Sequence, residues 1–254
     1  AKVTDDLLLW DDDLEKAFIH TGEVLTLAAN HGIIQNPEKF EFAKKELEWA
    51  GVKLSESGAA PPPSHVKAIK DYPAPQNITD MRSFFALVEQ VSPYYAVKPH
   101  LAPFRELLKK GQEWYWDHTL DRLFDEAKAE ITTRVTEGIR RFDPGRETAV
   151  MSDYSRTGVG YMMLQKYCSC QDVRPNCCTG GWSVCMVGSR FCSSAEANYE
   201  VTAGELLAVT NALNKTKHYT LGSTKLTVCV DHKPLLGILG DKKLEEIENP
   251  RIRR

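Results

Sequence analysis

Three acids stand where acids are costly. Asp153 lies in "AVMSDYSRTGVGYMMLQ", residues 149–165, which reads as two extended runs around a Ser-Arg-Thr-Gly turn. Aspartate is depleted in strands, and a charge beside a core is costly unless something pairs with it. Glu205 falls in "NYEVTAGELLAVTNALNKTKHY", where Val201, Glu205, Val209 and Leu213 recur every four residues and share one helix face. That stripe is the one expected to face a sheet. Asp231 ends the apolar strand of "KLTVCVDHKPLL". Taken singly, each acid is as readily a helix cap or a solvated turn residue. Brought together from strand, helix and strand, the three would repel one another unless cations neutralised them. Paired Mg²⁺ held by clustered carboxylates is a means of cleaving phosphodiesters, because the attacking and leaving oxygens both need charge stabilisation.

Thiols form a second concentration of chemistry. Cys168, Cys170, Cys177 and Cys178 crowd into "CSCQDVRPNCC". Zinc sites more often space their cysteines two to four residues apart, and adjacent cysteines make tetrahedral closure from one short loop awkward. A structural zinc site and a set of free or packing thiols are both open readings. Cys185, Cys192 and Cys229 lie in apolar runs and read as core thiols. Trp114, Tyr115 and Trp116 could stack on bases or simply fill a core.

The elements that must position these groups follow from periodicity and punctuation. Residues 1–10 read as a short strand leading into Asp5 and Asp6, and residues 12–31 as a helix ended by Gly32. "KFEFAKKELEWAGVKLSESG" alternates like paired strands, with a turn at Ser57-Gly58. "AAPPPS" marks a boundary, and helices are expected near 64–71, 77–90, 100–110 and 117–133. After Pro144-Gly145 the order becomes strand, strand, strand, helix, strand, helix, an α/β layout with a mixed sheet.

The 254 residues are 42% hydrophobic and 26% charged, ordinary globular composition, and suggest more than one domain. A net charge of -3 gives no support to a strongly basic nucleic-acid binder, although a local basic groove is compatible with it. No apolar run is long enough to span a membrane, and the start "AKVTDD" has no signal-peptide pattern. Seven cysteines without a secretory signal favour a reduced, intracellular setting. Both ends read as cut from something longer.

"SDYSRTGVG", "GSRFCSSAEANYEVTAGELLAV", "HYTLG" and "LTVCVDHKPLL" resemble the ribonuclease H domain of gypsy-class LTR retrotransposon polyproteins, a likeness continuing through "DKKLEEIENPRIRR". "TDDLLLWDDDLEKAFIHTGEVLTLAANHGIIQNPEKFEFAKKELEWAGVKLSESG" resembles the last part of a reverse transcriptase palm. "IKDYPAPQNITDMRSFFALVEQV" resembles its thumb, and "WYWDHTLDRLFDEAKAEI" its connection. The implied layout is palm end with primer-grip hairpin at 1–60, thumb-like helices at 61–112, connection and start of the ribonuclease H-like region at 113–146, and ribonuclease H domain at 147–254. The implied fold is multidomain α/β and α+β, with a ribonuclease H-like mixed sheet.

The resemblance assigns roles. Asp153, Glu205 and Asp231 fall on carboxylates that hold two Mg²⁺ (or Mn²⁺) for hydrolysis of RNA in an RNA/DNA hybrid. A fourth acid of the family lies beyond residue 254, as do a last strand and helix, so an exposed sheet edge and low stability are expected. Asp5 and Asp6 fall on the paired polymerase aspartates, although Val3 stands where the family usually has an aromatic residue. Lys39 matches a palm lysine near the incoming nucleotide's phosphates, and Trp49 and Gly51 match the hairpin that grips the primer end. Arg190 and His232 are candidates for contacts with the substrate backbone, His232 equally a strand-end residue. The implied partners are an RNA/DNA hybrid and a template-primer duplex, with DNA synthesis as an activity of the longer parent, in a cytoplasmic virus-like particle or the nucleus. The competing class is a catalytically inactive or host-adopted remnant that binds nucleic acid or protein.

Overall fold

The structure is a computed structural model that describes residues 1–3, 5–172 and 174–247. Thr4 and the motif end "ENPRIRR" (248–254) lie outside the described residues. The chain opens on a small antiparallel hairpin, β1 (Lys2–Val3) and β2 (Asp6–Leu7). Helix α1 (Leu14–Asn30) starts at Asp13, whose side chain accepts a hydrogen bond from Lys16 N at 3.0 Å. It ends before Gly32, which takes a φ of +70°. The expected helical period is present, but Leu14, Phe18 and Leu27 remain exposed.

The alternating stretch forms β3 (Glu46–Trp49), β4 (Val52–Ser55) and β5 (Gly58–Ala60), paired in that order. Both turns have two residues, and the β3–β4 turn, Ala50-Gly51, takes φ of 50° and 74°, the geometry that suits strand twist. Phe40 and Phe42, expected to join the strands, instead stack on each other at 6.4 Å, outside any ladder. Ala59 exchanges backbone hydrogen bonds with Ile139 at 2.9 and 2.8 Å, tying β5 to a much later segment.

Helices α2 (Pro63–Lys70), α3 (Ile78–Glu89), α4 (Lys98–Leu101) and α5 (His118–Val135) surround the largest apolar core, which includes Phe84, Phe104, Phe124 and Ile131. Asn77 and Asp117 cap α3 and α5 with side-chain acceptors. The continuous helix expected at 100–110 is a correction: α4 gives way to two short 3-10 turns, Ala102–Phe104 and Glu106–Leu108. Pro103 supplies no N–H and its ring crowds the preceding turn, so the α ladder cannot run through it. Trp114 and Trp116 stack at 5.8 Å and pack on this core, the filling role of the two readings, whereas Tyr115 is exposed.

The second half is the mixed sheet. Strands β6 (Thr148–Tyr154), β7 (Gly158–Lys166) and β8 (Trp182–Phe191) are antiparallel neighbours. Helix α6 (Val201–Thr220) then crosses over to β9 (Leu226–Cys229), which pairs parallel to β6. The strand order is β8-β7-β6-β9, and α7 (Lys233–Gly240) follows. Gln165 is fully buried yet satisfied: its amide nitrogen donates to Asp143 O at 2.7 Å and Thr148 Oγ1 at 3.0 Å, and its oxygen accepts from Asp143 N at 2.8 Å. Arg105 reaches from the helical half to Cys192 O at 2.9 Å and lies over the Phe191 ring.

The stripe of α6 is offset from expectation. Val201 is 58% exposed and Leu213 only half-buried, whereas Gly204, Glu205, Ala208, Val209, Ala212 and Thr216 are buried. Small residues every four positions let the helix settle close to the sheet. At Gly204 a Cβ would overlap the ring of Tyr154. Alanine normally gains about 1 kcal/mol over glycine inside a helix, but here it must push an aromatic ring off β6. Gly204→Ala is therefore expected to destabilise the chain by about 1–3 kcal/mol, read from urea unfolding. A stabilised variant would mean that the ring yields freely.

Candidate metal-binding carboxylate site

The layout brings Asp153, Glu205 and Asp231 to one place, with ligand oxygens all within 4.8 Å of one another. Each arrives on a separate element. Asp153 is near the end of β6, opposite Gly160 of β7, so no cross-strand side chain crowds it. Glu205 is in the first turns of α6. Asp231 follows β9, the parallel neighbour of β6, so both aspartates emerge at the same sheet end. Parallel pairing and the α6 crossover thus bring together acids separated by 78 positions in the chain.

Asp153 and Asp231 are exposed, while Glu205 keeps only 7% of its surface. Burial, and then the charges of Asp231 and Asp153, push the Glu205 carboxyl up to about 7, against a hydrogen bond from the Tyr154 backbone N–H that favours its ionised form. Among the described residues no lysine or arginine pairs with any of the three. Hard oxygen donors, mutual repulsion and no internal counter-charge make the cluster a fit for Mg²⁺ or Mn²⁺.

The neighbours are partly unforeseen. His232 Nε2 lies 2.9 Å from Thr202 Oγ1, which links the start of α7 to α6 beside the site. Tyr154 fixes the other flank, its hydroxyl donating to Glu196 O at 2.7 Å. Neither Thr202 nor Tyr154 stood out as a sequence, although the out-of-place glycine at 204 was a readable signal of close packing.

Arg190 is engaged elsewhere. Its guanidinium donates to both carboxylate oxygens of Glu196 at 2.9 and 2.8 Å, and to Asn211 Oδ1 at 3.3 Å. Arg190, with the Ser193 hydroxyl and backbone N–H groups, holds the Glu196 carboxyl down at about 2. A depressed carboxyl stabilises the fold only while ionised. The stabilisation is fully present above the ordinary value of 4.5 and is lost as the pH falls through about 2. The gap in melting temperature between the wild type and Glu196→Gln is thus expected to narrow between pH 4.5 and pH 2; a constant gap would count against this pair.

The other sequence candidates lie apart from that cluster. Asp5 and Asp6 are exposed on the β1–β2 hairpin, Asp6 opposite Val3. Lys39 is exposed at the end of a 3-10 turn, Pro37–Lys39. Trp49 and Gly51 flank the β3–β4 turn, and the buried Trp49 Nε1 has no hydrogen-bond partner among the described residues. The four clustered cysteines do converge, with sulfurs all within 4.8 Å.

With this geometry in hand, similarity to known proteins defines the class. Residues 143–254 match the family described as the RNase H-like domain found in reverse transcriptase. The match covers the C-terminal part of the chain, and over nearly its whole length the chain is similar to retroelement polyproteins. Its relatives include the Transposon Tf2-3 and Tf2-7 polyproteins of Schizosaccharomyces pombe, 26% and 25% identical over 98% of this chain. They are LTR retrotransposon polyproteins of the gypsy class, the class the motifs imply. The chain spans 18% of the length of these relatives. Among solved structures, the foamy viral protease-reverse transcriptase in complex with RNA/DNA hybrid superposes with a TM-score of 0.71 at 14% identity, over 96% of this chain and 31% of that one. The same protein in complex with double-stranded DNA gives 0.71, over 95% and 51%. These likenesses show a reverse transcriptase–ribonuclease H fold. No described helix is long and apolar enough to cross a membrane.

Proposed function

We propose that the carboxylate site hydrolyses the RNA strand of an RNA/DNA hybrid. The observation that carries this reading is the convergence of Asp153, Glu205 and Asp231 within 4.8 Å at one end of the sheet, with no lysine or arginine among the described residues paired to them. Those three residues would hold Mg²⁺ or Mn²⁺. When bound, the ions supply an activated water and charge stabilisation of the attacking and leaving oxygens. The chain's own part is to hold the ligands: β6 and β9 fix the aspartates side by side, and α6 fixes Glu205 behind them. Their exposure leaves Asp153 and Asp231 open to a backbone phosphate. The hybrid as substrate is supported by the RNase H-like family match and by the foamy viral relative bound to RNA/DNA hybrid.

The polymerase role belongs in the same proposal, as an activity of the longer polyprotein. There Asp5 and Asp6 would serve as metal ligands, Lys39 would meet nucleotide phosphates, and the Trp49–Gly51 hairpin would hold a primer end.

The test is cleavage of an end-labelled RNA strand in a hybrid, compared with single-stranded RNA and with an RNA duplex. Metal-dependent cutting of the hybrid alone, stopped by EDTA and leaving 3′-hydroxyl and 5′-phosphate ends, is expected. Hybrid binding without cutting in either metal would favour the non-catalytic binding module.

A further inference from the structure

We propose that Cys168, Cys170, Cys177 and Cys178 form a structural zinc site that closes the long β7–β8 connection. The four sulfurs lie within 4.8 Å of one another, with Cys168 and Cys177 at 3.5 Å and Cys177 and Cys178 at 3.9 Å. A tetrahedral zinc with Zn–S bonds of about 2.3 Å sets its sulfurs about 3.8 Å apart. All seven cysteines are free thiols, so no disulfide accounts for the cluster.

The loop is built around those sulfurs. Residues 167–181 contain no described helix or strand and contribute no residue to the buried core clusters. A connection of that length without secondary structure is uncommon in a folded domain unless something ties it. Lys166 Nζ donates to Cys170 O, and to Asp172 O at 2.7 Å, curling the first half back on β7. Tyr167 N donates to Gly181 O at 2.8 Å and closes the base. Gly181 has no room for a side chain: a Cβ there would overlap Cys178 Sγ and sit 2.8 Å from Cys168 Sγ. The backbone has thus moved in against the sulfurs. Trp182 Nε1 donates to Cys177 Sγ at 3.4 Å, the kind of outer contact that orients a metal-bound thiolate. The adjacent pair, awkward as a sequence, works because Cys168 and Cys170 approach it from the other side of the loop.

The site is not part of the hydrolase. Asp153 pairs with Gly160 near the start of β7, and the cysteines follow Lys166 at its far end, roughly 20 Å along the strand. A redox-inert ion closed by four thiolates fits a staple, not a catalyst.

The test measures metal in the full chain, purified under reducing conditions without chelator. About one zinc per chain is expected by mass spectrometry, and none in Cys178→Ser or Gly181→Ala, while Cys229→Ser retains it. Because the loop variants could misfold, the wild-type chain stripped of metal is also titrated with Co²⁺. A sulfur-to-cobalt charge-transfer band saturating at one equivalent and displaced by Zn²⁺ is expected; carboxylate ligands give no such band. Absence of both zinc and the band, or an intact mass showing disulfides among these four cysteines under reducing conditions, would overturn the proposal.

Discussion

Asp153→Asn is expected to abolish metal-dependent hydrolysis of hybrid RNA, by roughly 10³-fold or more. The amide keeps the size of the side chain and its place opposite Gly160, so the sheet should survive. What changes is the charge. The site would present two carboxylates in place of three, and asparagine offers a neutral, weaker donor. If the lost metal contact is worth about 4 kcal/mol of transition-state stabilisation, the rate falls about a thousandfold. The control is the unfolding temperature without metal, which is expected to hold or rise slightly: Asp153 is exposed, and loss of its charge relieves part of the repulsion on Glu205. Wild-type cleavage rates in the variant would remove Asp153 from the site, and cutting insensitive to EDTA would remove the metal.

Where residues were legible in the sequence, local order was the reason. Helices at 12–31, 64–71, 77–90 and 117–133 carry their own periodicity and caps, and α1, α2, α3 and α5 form there. The run of three strands, helix, strand and helix after Pro144 forms in that order, because hairpin turns and one crossover are short-range signals. The break at Pro103 was legible in principle, since a proline within the expected helix at 100–110 is a local objection to it.

Tertiary contacts account for the rest. The face of α6 was misplaced by about one residue, because spacing by four fits several stripes. What selects the buried one is the Tyr154 ring lying over Gly204, which no window on the helix contains. Arg190 looked available because its partner, Glu196, becomes a partner only after the chain turns at Ser193. The three acids were legible as types in suitable elements. That they meet depends on β9 pairing parallel to β6, a fact of topology. The thiol cluster was harder still. Its spacing argued against closure, and only the path of the loop, with Gly181 pressed against two sulfurs, brings all four together.

Glu205→Gln is expected to raise stability and remove metal binding in one substitution. In the metal-free chain above neutral pH, Glu205 is a buried carboxylate facing two others, with no cation beside it. Its displacement to about 7 from 4.5 corresponds to a cost of up to about 3 kcal/mol for ionising it within the fold. The amide carries no such cost and nearly the same volume. Allowing for imperfect hydrogen bonding of the amide, a gain of about 2 kcal/mol is expected, or roughly 5 °C in unfolding temperature at pH 8. Millimolar Mg²⁺ should reverse the ranking. It binds the folded wild type and raises its unfolding temperature by mass action, while the variant, short of one ligand and one charge, responds little. An acid kept only for packing would show the first effect without the second. If both proteins responded equally to Mg²⁺, Glu205 would not be a ligand, and the strain in the cluster would need another origin. A crossover would tie the instability of the empty site to its purpose: the burial and mutual repulsion that make ionised Glu205 costly in the metal-free fold also concentrate the charge that draws the cation in.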